Sequence, residues 1–134
     1  FPAIQRRNIV FNIPEFITPH LHQLAKLQSL HTPKTVHQSK PHIHHIPNLF
    51  QYYPRLPDKH APQIIPSPIP NSKSQFLTHP LALCAQITPS NYPFLQPTSK
   101  IPPPLPPGNT IVLNPTQITP LTTIKLFKLI QEAR

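Results

Sequence analysis

The chain has 134 residues, enough for one hydrophobic core, yet it carries 23 prolines against a single glycine. Only 37% of it is apolar, below the roughly 45–50% of ordinary globular domains. Twelve Lys and Arg face only Glu15, Asp58 and Glu132, giving a net charge of +9, which favours a polyanionic partner and leaves no pair of carboxylates for acid–base catalysis.

Residues 1–18 read as an extended N-terminal arm, in which Asn8 to Ile13 alternates weakly as a short strand closed by Pro14. The opening Phe1, where a start methionine would stand, suggests a processed product or a fragment. Thr18 and Pro19 then supply an N-cap hydroxyl and a proline suited to the first helical position. With Leu21, Leu24, Leu27 and Leu30 following at three-residue steps, they predict a short amphipathic helix over about 19–31.

Residues 32–118 form a proline- and histidine-rich region expected to run extended and polyproline II-like, because prolines recur too closely for regular structure. Within it His42, His44 and His45 are weak candidate metal ligands, since His42 and His44 would share one face of an extended strand. No Cys-x-x-Cys and few carboxylates support such a site, so no metal or other cofactor is expected. Phe50, Tyr52, Tyr53 and Tyr92 are candidate base-stacking residues. Cys84, flanked by Leu81, Ala82, Leu83 and Ala85, reads as a small buried hydrophobe; its distance from His79 is no nucleophile arrangement.

Lys100, Pro103 and Pro106 have the spacing of a basic-x-x-Pro-x-x-Pro ligand for an SH3-type domain. Gly108 and Asn109 give the one evident turn, and the lone glycine excludes phosphate-cradling glycine loops. Thr110 to Leu113 is a second short strand candidate. Residues 119–134 hold a C-terminal helix over about 120–132, starting at Thr119-Pro120 and carrying Leu121, Ile124, Phe127 and Ile130 on one stripe. No apolar run is long enough to span a bilayer.

The expected fold class is therefore mostly irregular and extended, with two short α-helices and no independent globular core. The expected function is a basic structural component of a ribonucleoprotein, not an enzyme. RNA phosphates would be held by Arg6, Arg7, Lys26, Lys34, Lys40, Arg55, Lys59, Lys73, Lys100, Lys125 and Lys128, with neighbouring proteins as further partners. Gly, Ala, Val, Asp, Glu, Arg and Cys are scarce, and Met and Trp absent; these are the residues whose codons require guanine. That bias favours an organellar origin, such as a mitochondrial ribosome. The alternatives are a proline-rich interaction linker and an unselected reading frame without function.

Overall fold

The computed structural model describes residues 1–56 and 62–133. Its first element corrects the extended-arm expectation. Helix α1 spans Ala3–Ile17 and buries Val10, Ile13, Pro14 and Ile17, an i, i+3, i+4, i+7 spacing that lays one stripe along a helix. The strand expected over Asn8 to Ile13 lies inside it. Pro14 falls near the carboxyl end, and its carbonyl accepts from the Thr18 hydroxyl at 2.7 Å.

A single 3-10 turn, Thr18–His20, carries Pro19 and leads into α2, Leu21–His31, within the interval read from the leucine pattern. The stripe itself is narrower than expected. Leu21 and Leu24 are buried, Leu27 is half-buried, and Leu30 is 81% exposed, because a three-residue step drifts around a helix of 3.6 residues per turn. Helix α3, Val36–His44, opens on a capping box in which the Gln38 amide donates to Thr35 Oγ1 and the Thr35 amide to Gln38 Oε1. Helix α4, Ile46–Tyr52, follows with Pro47 in its first turn, and a 3-10 turn, Tyr53–Arg55, carries Pro54.

Strands β1, Gln63–Ile65, and β2, Ser74–Phe76, pair antiparallel in an exposed hairpin. Strand β3, Leu83–Thr88, pairs parallel with β4, Thr110–Pro115, in register from Leu83 opposite Thr110 to Thr88 opposite Pro115. The crossover between them holds α5, Leu95–Lys100, and a tight turn through residues 101–108. Helix α6, Leu121–Glu132, falls within the second expected helix and buries Thr122, Thr123, Leu126 and Leu129.

One core joins these pieces. Val10, Ile13 and Ile17 of α1 cluster with Ile43, Ile46 and Phe50, with Phe94 and Ile101 from the crossover, and with Leu126 and Leu129 of α6. The expectation of a coreless, irregular chain is overturned by this cluster and by the helices that build it. The physical reason is where the prolines stand. Pro19, Pro47 and Pro54 occupy first-turn positions, where a helix makes no use of the missing N–H. Among the described residues no helix is long and apolar enough to cross a membrane.

Candidate functional site

A parallel strand pair linked by a helical crossover presents its ligand groups at the carboxyl ends of the strands, where the connecting loops diverge. Here those ends are Thr88 on β3 and Pro115 on β4. The loop leaving β3 runs Pro89, Ser90, Asn91, Tyr92, Pro93, and four contacts fix its middle. The backbone amide of Tyr92 donates to Asn91 Oδ1 at 3.1 Å. The Lys34 ammonium donates to the Asn91 carbonyl and lies 3.4 Å from the centroid of the Tyr92 ring. The His42 ring meets the same tyrosine edge-on, with centroids 4.9 Å apart.

The consequence falls on the Asn91 side chain. Its oxygen is occupied, it is exposed, and its Nδ2 has no acceptor among the described residues. Two N–H donors are thus offered to solvent at the carboxyl end of β3, where a carbonyl oxygen is a suitable acceptor. A cavity lies elsewhere, away from this loop. It encloses about 510 Å³ and is lined by Arg6, Tyr53, His79 and prolines that precede β3 and β4, at the amino ends of the strands.

The residues singled out from the sequence are scattered over the fold and do not form one patch around this loop. Arg6 donates from Nε to the Pro106 carbonyl at 3.2 Å and from Nη1 to the Phe1 carbonyl. The Arg55 guanidinium lies over the Phe11 ring at 5.3 Å, and Arg7 is half-buried on α1. Lys26, Lys40, Lys73 and Lys128 are exposed on separate elements, while Lys100 and Lys125 are half-buried. Lys59 lies outside the described residues. Lys34 is the candidate seen to reach the loop after β3.

His42, His44 and His45 do not share a strand face. The first two sit on α3, where a two-residue step turns about 200° around the axis, and only His42 meets Tyr92. No group of three metal-ligating side chains occurs among the described residues. The tract from Pro102 to Pro107 is a coiled turn, with Pro102 and Pro106 buried and the Pro104 carbonyl accepting from the Asn109 amide. It is not a free polyproline II ligand. Asn91 carried no signal in the sequence reading; an apolar run from Leu81 to Ile87, a turn, a short helical segment and a second strand would have marked the strand-helix-strand unit that positions it.

The parallel strand pair and its helical crossover define an α/β fold. The sequence matches the aldehyde dehydrogenase family over residues 1–134, and the chain belongs to that family. It is 52% identical over 131 residues to betaine aldehyde dehydrogenase of Bacillus subtilis, covering 98% of this chain and 27% of that protein. It is 33% identical to 2,5-dioxopentanoate dehydrogenase of Saccharolobus solfataricus, over 98% of this chain and 28% of the relative. The crystal structure of betaine aldehyde dehydrogenase from Staphylococcus aureus in complex with NAD+ superposes with a TM-score of 0.92 at 41% identity, over 99% of this chain and 26% of that one. The chain thus spans about a quarter of the length of these relatives.

Membership in an enzyme family across the whole sequence overturns the ribonucleoprotein reading, its RNA and ribosomal partners and the judgement against an enzyme. The interaction-linker and unselected-frame alternatives fall with them. High net charge measured a general attraction to anions and said nothing of fold.

The loop after β3 does not fit the diphosphate of a dinucleotide. It has no glycine to let backbone approach the phosphates, and α5 is only six residues long, with the Gln96 amide already donating to the Tyr92 carbonyl.

Proposed function

We propose that this chain is the part of an NAD-linked dehydrogenase that helps bind and polarise a small aldehyde, with betaine aldehyde the leading substrate on the strength of its 52% identical relative. Attack on an aldehyde turns the carbonyl oxygen into an oxyanion, and donors held in place beforehand favour that state most. The observation that carries the reading is the Asn91 carboxamide, whose oxygen is engaged by the Tyr92 amide while its N–H pair meets no acceptor among the described residues.

The test follows NADH formation from betaine aldehyde and NAD+ by the protein that carries this chain, comparing it with Asn91→Ala. Removing one such donor is expected to lower kcat by about 10²–10³ with little change in KM. An unchanged kcat, or no aldehyde-dependent NADH from the parent protein, would defeat the reading.

A further inference from the structure

We propose that Lys34 is a positioning residue for Asn91, holding the loop after β3 in the shape that turns the carboxamide donors outward, with His42 as its accessory. The inference rests on the reading of Asn91 given above. Lys34 stands in the connection between α2 and α3, 57 residues from the loop it grips. Its ammonium engages two neighbouring groups at once, the Asn91 carbonyl and the face of the Tyr92 ring at 3.4 Å. Fixing the carbonyl of residue 91 and the ring of residue 92 fixes the peptide between them, and that peptide's N–H holds Asn91 Oδ1. The edge of His42 against Tyr92 closes a further side of the ring. A charge-assisted hydrogen bond and a cation–π contact from one side chain thereby set the orientation of another that Lys34 does not itself touch.

Two-dimensional ¹H–¹⁵N NMR with amide exchange on the protein that carries this chain tests this directly. Lys34→Met keeps the aliphatic stem and removes the charge. It is expected to speed exchange of the Tyr92 amide by about tenfold, and to shift the Asn91 side-chain NH₂ pair, while the amides of buried Ala25 and Phe50 keep their protection. Lys34→Arg should restore both signals, and His42→Leu should produce a smaller change of the same sign. Unaltered Tyr92 and Asn91 signals in Lys34→Met would overturn the assignment. Protection lost equally at Ala25 and Phe50 would overturn it too, by showing a general stabilising role. No turnover is involved, so a failed aldehyde assay leaves this result standing, and unchanged spectra in an active enzyme sink the positioning role alone.

Discussion

Arg6 lies against Gly108 so closely that a Cβ on the glycine would come within 3.2 Å of Nη2 and 3.3 Å of Cζ. The same guanidinium donates to the Pro106 carbonyl, two residues earlier, so α1 is tied to the turn that feeds β4. A side chain read from composition as a phosphate contact is a brace inside the fold.

Gly108 has φ of +110°, a conformation L side chains rarely adopt, and a methyl group there would also require the guanidinium to give by a few tenths of an ångström. Gly108→Ala is therefore expected to destabilise the chain by about 1–3 kcal/mol, read as a lower urea midpoint. A midpoint equal to that of the parent would show that neither the backbone nor Arg6 constrains this position.

Ala82 is the converse case. It has φ of 74°, while its carbonyl accepts the Thr110 amide at 2.7 Å at the start of the parallel ladder. Left-handed backbone costs a non-glycine residue roughly 1–2 kcal/mol, and glycine's greater freedom in the unfolded chain offsets about half of the gain from relieving it. Ala82→Gly should raise stability by about 0.5–1 kcal/mol in the same urea titration. A fall in midpoint would count against strain at this residue.

Gln28 of α2 is fully buried, and neither carboxamide atom has a hydrogen-bond partner among the described residues. A buried polar group without a hydrogen bond costs about 1–3 kcal/mol, and methionine fills a similar unbranched volume without that penalty. Gln28→Met is expected to raise the thermal midpoint by several degrees, on the order of 4 °C for each kcal/mol recovered. A lower Tm would mean that the amide is satisfied in solution.

The intervals of α2 and α6 were legible because each lies just after a Thr-Pro pair, and β4 because Thr110 to Leu113 is flanked by turn residues. The expected caps and the α6 stripe were not, since neither Thr18 nor Thr119 is the N-cap of a helix, and Leu121, Ile124 and Phe127 are exposed while Leu126 and Leu129 are buried. Helices α1, α3 and α4 were not, because Pro14, Pro41 and Pro47 were weighed by number and not by place. Pro47 sits where a helix start tolerates proline, and Pro14 in the last turn of α1; Pro41 is the true exception, an interior proline in a helix of nine residues.

The site was half visible. Lys34, His42 and Tyr92 were each singled out, but for RNA phosphates, metal and bases, because sequence shows a side chain's chemistry without its neighbour. Their convergence depends on the α2–α3 connection meeting the loop after β3, a tertiary fact with no local signature. Asn91 is one of several asparagines and acquires meaning only from its place at a strand end.

The proline-rich crossover bears on how the parallel ladder closes. Thr110 and Ala82, its first bonded partners, are 28 residues apart, and bringing such distant points together costs the chain entropy before any contact compensates. Pro102, Pro103, Pro104, Pro106 and Pro107 stiffen this connection in the unfolded ensemble as well as in the folded one. Less disorder is left to be extinguished when the strands meet, so the rings that forbid a regular helix there also make the long journey between β3 and β4 a shorter search.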